Sequence, residues 1–343
     1  MDPLTHLAGG VMIAHLCVGL APEPALSLTS IGMALAPDFD FLSRKLPGAA
    51  FLRVHHGFTH SFTGVVFQSL IYCSIAWSFF RLELFNLPAS PFVPLLTIGL
   101  ISAFSHVLLD WVMHNNGLPF LHPFRYSRYA FPLILGVNPQ TVSRKCHERH
   151  FHTCFGCQFR GSLRNPVAYL VTIGAAVGLI LLPYRRVIAV VFLAATFGYL
   201  LYCYIARERA RRVLIAFDPS MDGADAYPGR ARPDRWLFVR SAPDSSAVAY
   251  LVCSDSRAIL HKWQFPQASV PDDLIRRIPR VVQDLKYCIH HLYPMLITDN
   301  GYRTLNFRDL SYLYSEPLEL GSVRVVFDAQ GNIVSEVFQE VWN

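Results

Sequence analysis

The chain has 343 residues, a formal net charge of +6 and a hydrophobic content of 52%, while only 16% of its residues are charged. Soluble globular domains carry about 25% charged residues. The composition therefore excludes an ordinary soluble enzyme and is typical of an integral membrane protein.

The first 37 residues predict a helical hairpin. The apolar runs 7–21 and 25–37 are separated by the turn sequence APEP. Each run is shorter than the roughly 20 residues that a spanning helix needs, so we expect one or both helices to be tilted or re-entrant. No Lys or Arg precedes the first run, and a cleavable signal peptide is therefore not expected.

Four apolar runs follow, and each predicts a membrane-spanning helix by its length and its low charge. They cover residues 62–80, 92–113, 166–183 and 187–206. Only the second run contains a charged residue or a histidine, and these are His106 and Asp110. We therefore predict an all-α polytopic membrane helix bundle over residues 1–206, made of four spans and the N-terminal hairpin.

The distribution of Lys and Arg predicts the orientation of this bundle. If the segment 38–60 is cytoplasmic and each later run crosses once, fourteen Lys and Arg residues up to 212 lie on the cytoplasmic side and three on the other. This bias follows the positive-inside rule. We expect a multi-pass protein of a bacterial inner (cytoplasmic) membrane, with the loop 114–165 and the C-terminal domain in the cytoplasm.

The composition changes again after the last span. Residues 207–235 open with the basic run RERARR and continue with Pro, Gly and Asp, which predicts a basic segment and a linker. Within 236–343, the runs WLFVR, AVAYLVCS and ILHKWQF predict strands, and the spacing of apolar residues in 271–292 predicts a helix. A hairpin is predicted to turn at DAQGN. The sequence therefore predicts a small C-terminal α+β soluble domain.

Ionisable side chains from distant segments are predicted to meet at the cytoplasmic edge of the bundle. His106 and Asp110 are four residues apart, so they share one face of a helix, within about 10 Å of its cytoplasmic end. The other members lie where neighbouring segments reach the same edge, and they are His6, Asp38, Asp40, His55, His56 and His60.

Imidazole and carboxylate groups in one cluster favour a divalent metal, with zinc expected and manganese or iron as alternatives. The set is larger than one tetrahedral site requires, so one or two ions are expected. A metal would lower the pKa of bound water and polarise a phosphoryl or carbonyl oxygen. We therefore predict hydrolysis, with Asp38, Asp40, His60 and Asp110 as the catalytic group.

Each part of the cluster also has a simpler explanation. His106 and Asp110 could form a hydrogen-bonded pair within one helix, and the turn PDFD could cap a helix. His56 and His60 could contact lipid headgroups. The placement of all these groups on one side of the membrane favours a metal site.

Five segments, in order along the chain, resemble a known family. MDPLTH, PDFD, HHGFTHS, SHVLLDW and GLPFLHPF are similar to the motifs of the YdjM-like family of LexA-regulated, membrane-bound metal-dependent hydrolases. The resemblance covers about residues 1–140, and longer family members also carry a C-terminal soluble extension. It implies a polar site formed by His6, Asp38, Asp40, His55, His60, His106 and Asp110. The family usually has Arg where this chain has His56, so either His55 or His56 could join His60.

A second metal site is conceivable in the loop sequence CHERHFHTCFGC. Its Cys-x-x-Cys pair and two upstream residues could complete a structural zinc site, which would use Cys146, His150, Cys154 and Cys157. The second half of a typical zinc motif is missing. The alternative is a loop of reduced thiols beside basic residues that meet anionic lipids.

The preferred function is a metal-dependent hydrolase acting on an anionic phosphoester or lipid-like small molecule from the cytosolic leaflet, with membrane lipids as neighbours. A transporter for metal ions or protons would spread polar groups through the bilayer, often in paired repeats. A metal-binding sensor or scaffold is the third possibility. No Gly-x-Ser-x-Gly elbow supports serine hydrolysis, and no motif predicts a nucleic-acid partner. The sequence leaves the oligomeric state and the substrate open.

Overall fold

The structure is a computed structural model of the chain. The residues that it describes are 3–45, 54, 57–82, 90–113, 117–134, 166–229, 233–243, 246–267, 270–271, 274, 290–299, 301–313 and 322–338. Two compact units are present. The helical unit comprises Met1–Ser43 and Val54–Tyr202, and the β unit comprises Arg44–Arg53 and Cys203–Asn343.

The helical unit contains the predicted N-terminal hairpin and the predicted long apolar helices. Its α-helices are α1 (Pro3–Leu16), α2 (Glu23–Leu35), α3 (Phe62–Arg81), α4 (Phe92–Trp111), α5 (Pro166–Ile180) and α6 (Arg185–Phe217), the last of which continues into the β unit. Two short 3-10 segments, Ala36–Lys45 and Phe58–His60, follow α2 and precede α3. Helix α1 packs on α2, α4 and α5, while α2 packs on α3 and α4.

Three helical stretches among the described residues are long and apolar enough to cross a membrane: Phe62–Arg81, Phe92–Trp111 and Leu182–Phe217. They correspond to three of the four predicted spans. The fourth run forms α5, an apolar helix of 15 residues. This length is below the roughly 20 residues that a straight span needs, so the count of four spans stays a prediction.

Close helix packing and buried hydroxyls hold α1, α2 and α4 together. A Cβ atom at Gly10 would lie 2.9 Å from the Cα of Ile31, so a larger residue could not keep α1 and α2 this close. The Ser30 hydroxyl donates to the Gly10 carbonyl over 2.7 Å and lies 2.9 Å from the Ser102 hydroxyl of α4. Small residues and interhelical hydrogen bonds are the usual means of packing helices in lipid. These three helices thereby form a rigid base for the polar cluster.

The outer surface of α6 is apolar. Large side chains such as Val187, Val190 and Phe197 are more than half exposed. Exposed apolar surface on this scale is unfavourable in water and favourable in hydrocarbon. The pattern therefore agrees with the prediction that this helix contacts lipid.

The β unit consists of two four-stranded antiparallel sheets, in the orders β1-β2-β3-β4 and β5-β6-β7-β8. The strands are β1 (Asp225–Pro228), β2 (Arg235–Ser241), β3 (Ala247–Cys253), β4 (Ala258–Phe265), β5 (Leu292–Asp299), β6 (Tyr302–Asp309), β7 (Ser322–Phe327) and β8 (Ile333–Phe338). The three predicted strand runs coincide with β2, β3 and β4. The predicted hairpin is β7–β8, which turns at 328–332.

The expected α+β character is seen only in part. Most of the predicted helix over 271–292 lies outside the described residues, and the described part of the unit is dominated by the two sheets. The stretch 207–235 contains more regular structure than a linker, because α6 continues to Phe217 and Asp225–Pro228 form β1. A buried apolar cluster joins residues of both sheets, including Leu237, Val239 and Tyr293.

Candidate metal centre

Four segments of the helical unit bring the polar cluster together. Helix α4 supplies His106 and Asp110 one turn apart, and the 3-10 segment after α2 supplies Asp38 and Asp40. His60 ends the 3-10 turn before α3, and His6 lies near the start of α1. These are six of the eight residues that the sequence predicted for the site.

The turn that carries His60 is fixed by a helix cap. The Ser61 hydroxyl accepts a hydrogen bond from the Gly64 amide over 3.0 Å and donates to the Phe58 carbonyl over 2.7 Å. A Cβ atom at Gly64 would collide with that carbonyl oxygen. A serine at the N-cap and a glycine three residues later therefore hold His60 at the mouth of α3.

Four donor atoms of the cluster have the spacing of a metal coordination shell. Asp38, His60, His106 and Asp110 each offer one atom, and these atoms lie within 4.8 Å of one another. The Nε2 atoms of His60 and His106 are 3.1 Å apart, and the Asp110 Oδ2 lies 3.2 and 3.3 Å from them. The Asp38 Oδ1 is 3.6 Å from both. A tetrahedral site with metal–ligand bonds of about 2.0–2.1 Å has edges of about 3.3–3.4 Å, so these residues fit a zinc-like ion.

The orientation of the two imidazoles also points to a cation. The Nδ1 of His106 lies 2.7 Å from the Ala34 carbonyl oxygen, which can only accept, so Nδ1 carries a proton. The Thr59 hydroxyl donates to the Asp40 Oδ2 over 2.7 Å, and its oxygen lies 3.0 Å from the Nδ1 of His60. The Thr59 oxygen can therefore accept a hydrogen bond from an N–H at Nδ1 of His60. The two Nε2 lone pairs then face each other at 3.1 Å, which is favourable only with a metal ion or a proton between them.

Protonation equilibria lead to the same conclusion. Burial alone would lower the pKa of His60, but the carboxylates of Asp110, Asp38 and Asp40 hold it well above its usual value. Burial would raise the pKa of Asp38, whereas His106 and His60 hold it well below its usual value. The ionised carboxylates thus favour positive charge in the space that a metal ion would take.

Asp40 occupies a different position from the other carboxylates. Its Oδ2 lies 3.5 Å from the Nδ1 of His60, on the side of the ring away from the four-donor set. It also accepts the hydrogen bond from Thr59. Asp40 thus contacts His60 from outside the four-donor set, and its predicted role as a metal ligand and catalytic group stays a prediction.

His6 lies against the cluster and outside the set of four. Its ring stacks on the His106 ring with centroids 3.6 Å apart. Its Nε2 is 3.3 Å from the Asp110 Oδ1 and 3.9 Å from the Asp38 Oδ2. The side chain is fully buried.

Two sets of predicted residues lie outside the described part of the chain. His55 and His56 belong to the first, so the choice between them stays open. The second is the proposed zinc loop with Cys146, His150, Cys154 and Cys157. Neither prediction is tested by the structure.

Sequence reasoning missed the groups that orient the ligands. A main-chain oxygen such as that of Ala34 leaves no signal in a sequence. Thr59 stands next to His60 in the motif HHGFTHS, and its hydroxyl was the one available clue. Six of the predicted ionisable residues do lie together, whereas the groups that orient them were not predicted.

The segment 117–134 lies beside the His60 turn. The Phe62 amide donates to the Phe120 carbonyl over 3.0 Å, and the Phe58 ring meets the His122 ring edge-on at 5.9 Å. Several apolar side chains of this segment are exposed, and Phe124 is 85% exposed. The exposed Arg125 adjoins it. The segment thus presents aromatic and cationic groups next to the turn that carries His60 of the cluster.

Comparisons with known proteins agree with the helical part of the chain. The profile of the family described as "YdjM inner membrane protein" matches residues 1–210, which include every described residue of the cluster. The chain is 29% identical over 146 residues to the uncharacterized protein YfhP of Bacillus subtilis (strain 168). That alignment covers 40% of this chain and 42% of the relative, so less than half of the relative's length is spanned. No solved structure matches the chain.

Proposed function

The chain belongs to the YdjM inner membrane protein family, and from this premise we propose that it is a membrane-embedded, metal-dependent hydrolase. The observation that carries the proposal is the four-donor set of Asp38, His60, His106 and Asp110, whose spacing suits a tetrahedral ion. Zinc is the ion that a compact set of imidazoles and carboxylates favours, and manganese and iron also accept these ligands.

The residues around the centre prepare it to bind a metal. The Ala34 carbonyl can hold the Nδ1 proton of His106 and the Thr59 hydroxyl that of His60, which directs the Nε2 lone pair of each ring towards the centre. Supports of this kind orient imidazole ligands and raise their basicity. When bound, a divalent ion would supply Lewis acidity and lower the pKa of a water molecule.

The exposure of the four side chains indicates the direction from which a substrate approaches the centre. The side chains of His60, His106 and Asp110 are 0% exposed, whereas that of Asp38 is 16% exposed. A substrate therefore reaches the centre past Asp38.

The surroundings favour an anionic, lipid-like substrate. Phe124 and Leu121 are exposed beside Arg125 in the segment that abuts the His60 turn. Exposed aromatic residues with neighbouring Arg are typical of membrane–water interfaces and of anionic headgroup contacts. We therefore favour a phosphoester carried by a membrane lipid or a similar amphiphile, which would approach from the cytoplasmic leaflet of the inner membrane.

The test compares metal content and hydrolysis in the full-length, detergent-purified protein. Wild type is assayed for bound metal and for turnover of phosphodiester and phospholipid substrates, beside His60→Ala. His15→Ala is the matched control, because His15 is a buried histidine of α1 that lies outside the cluster. We expect metal and hydrolysis to be lost together in His60→Ala and kept in the control.

Other results would redirect the proposal. Stoichiometric metal with no turnover on any substrate would favour a transporter or a metal-binding sensor that uses the same residues. Metal that persists in His60→Ala would place the binding site elsewhere in the chain, and the loop with Cys146 and Cys157 would be the next to change.

A further inference from the structure

His6 is a buried imidazole whose nitrogens make no hydrogen bond to the described part of the chain. The residue is 1% exposed, and neither Nδ1 nor Nε2 has a hydrogen-bond partner among the described residues. Leaving a polar group buried and unsatisfied is unfavourable. A side chain in this position therefore calls for a ligand that the protein alone does not supply.

The two central carboxylates divide their oxygens between two groups of imidazoles. The Asp110 Oδ2 faces His60 and His106 at 3.2 and 3.3 Å, while its Oδ1 faces His6 at 3.3 Å. Asp38 repeats the division, with Oδ1 towards His60 and His106 at 3.6 Å and Oδ2 towards His6 at 3.9 Å. Such a division is expected of carboxylates that bridge two cations.

We infer that His6, the Asp38 Oδ2 and the Asp110 Oδ1 form a second metal position, next to the four-donor position. Nε2 of His6 is the nitrogen aimed at both oxygens. Its distances to them are close to those within the four-donor set. The inference deepens the proposed function, because it assigns a second ion to the same centre.

The two metal positions differ in the number of protein donor atoms. The first has four protein donors, which suffice for a tetrahedral shell, so a water molecule would bind there only as a fifth ligand. The second has three among the described residues, which is the number found in catalytic sites that keep a position for water or substrate. A pair of ions that share carboxylates can stabilise both the attacking and the leaving oxygen of a displacement. The His6 position is therefore the one at which a substrate oxygen would bind.

A hydrogen-bonded His6–Asp110 pair is the simpler alternative, and the geometry argues against it. The 3.3 Å separation of His6 Nε2 and Asp110 Oδ1 is short enough, yet no hydrogen bond satisfies that nitrogen. The direction of the ring is set by its stacking on His106. A cation between the nitrogen and the two oxygens would give Nε2 of His6 the partner that it lacks.

The experiment counts metal ions, and its readout does not depend on turnover. Full-length protein is loaded with zinc, desalted and measured by mass spectrometry as wild type, His6→Ala and His15→Ala. His15 is a buried histidine of the same helix whose Nε2 meets the Ala175 carbonyl over 3.3 Å, outside the cluster, which makes it the matched control. We expect about two equivalents in wild type and His15→Ala, and about one in His6→Ala.

A spectroscopic measurement on wild type guards against misfolding of the variant. Manganese-loaded protein should give the spectrum of an exchange-coupled pair in electron paramagnetic resonance, because the carboxylates bridge the two ions. A six-line spectrum of isolated manganese at one equivalent would overturn the second position.

The outcomes separate this inference from the proposed function. One equivalent that is kept in His6→Ala and lost in His60→Ala would overturn the second position and leave the hydrolase proposal intact. Two coupled ions without any hydrolysis would support the second position and overturn the hydrolase. Absence of bound metal from wild type would overturn both.

Discussion

Each unit of the protein contains a buried histidine beside an aspartate. The two histidines differ in whether their ring nitrogens form hydrogen bonds. In the β unit, His291 is 7% exposed, its Nδ1 lies 2.8 Å from the Ser241 hydroxyl, and its Nε2 lies 2.9 Å from the Asp225 Oδ2. Both nitrogens are thus satisfied by the protein. In the helical unit, His6 has neither nitrogen satisfied.

Whether the ring nitrogens form hydrogen bonds distinguishes a structural histidine from a candidate metal ligand. The types of the neighbouring residues distinguish the two less well. Ser241, His291 and Asp225 have the composition of a catalytic triad, yet their hydrogen bonds connect β1 and β2 to the residue that precedes β5. We interpret them as a connection between the two sheets. A buried imidazole without a hydrogen bond, such as His6 beside the carboxylates of the cluster, is the stronger indication of chemistry.

The largest expected effect would test the structural assignment of His291. His291→Ala removes a buried ring and both of its hydrogen bonds, which should destabilise the β unit by about 2–3 kcal/mol. Metal content should not change. Proteolysis of the full-length protein measures the opening of the β unit, and His261→Ala, at an exposed position of β4, is the control. Loss of metal in His291→Ala would contradict the assignment of a purely structural role to His291.

The second prediction concerns the support of a metal ligand in the helical unit. Thr59→Val keeps the shape of the side chain and removes the hydroxyl between His60 and Asp40. Loss of such a support should weaken metal affinity by roughly 10–100-fold. Competition with a metal chelator measures this change. Thr97→Val is the control, because its hydroxyl only bonds the Val93 carbonyl within α4. Equal affinities in the two variants would contradict the assigned role of Thr59.

The smallest effect concerns a carboxyl group of the β unit. Asp309 is 1% exposed, and burial raises its pKa to about 6. Its Oδ1 accepts from the Ser311 amide over 2.9 Å, while Oδ2 has no hydrogen-bond partner. Between about pH 4 and 6 the folded state binds more protons than the unfolded state, so the stability of the unit falls as the pH rises through this range.

Asp309→Asn removes this ionisation and can keep the hydrogen bond from Ser311. The variant should be more stable than wild type by roughly 1–2 kcal/mol at pH 8, and the difference should shrink as the pH falls towards 4. Proteolytic stability measured over this pH range checks it. A stability difference between variant and wild type that stays constant over this pH range would show that the charge of Asp309 does not cause it.

The sequence predicted the ionisable part of the candidate site because helical spacing and polar motifs in apolar surroundings are local signals. His106 and Asp110 are paired by their separation of four residues. The division of the Asp38 and Asp110 oxygens between two sets of imidazoles depends on how α1, α2 and α4 pack, and no local pattern encodes it. Asp40 was placed among the ligands for the same reason: one residue type in one motif can face either side of His60.

In the β unit, alternation of apolar residues predicted β2, β3 and β4, and the turn DAQGN predicted the hairpin β7–β8. The short strand β1 was assigned to a linker, because its sequence DAYP lies among Asp, Gly and Pro and has only four residues. Its pairing with β2, from Asp225 opposite Val239 to Pro228 opposite Trp236, is a tertiary property. The arrangement of eight strands into two sheets could not be predicted either, since strand pairing is not visible in local periodicity.

The placement of the polar cluster early in the chain has a consequence for biogenesis. Its described members lie between His6 and Asp110, so they have all been translated while residues 111–343 are still to be made. Chains fold from the N-terminus as they are synthesised. The centre can therefore assemble during membrane insertion, before the β unit exists. If metal is bound, the supply of ions at the site of insertion, rather than the folding of the completed protein, would decide when the centre is loaded.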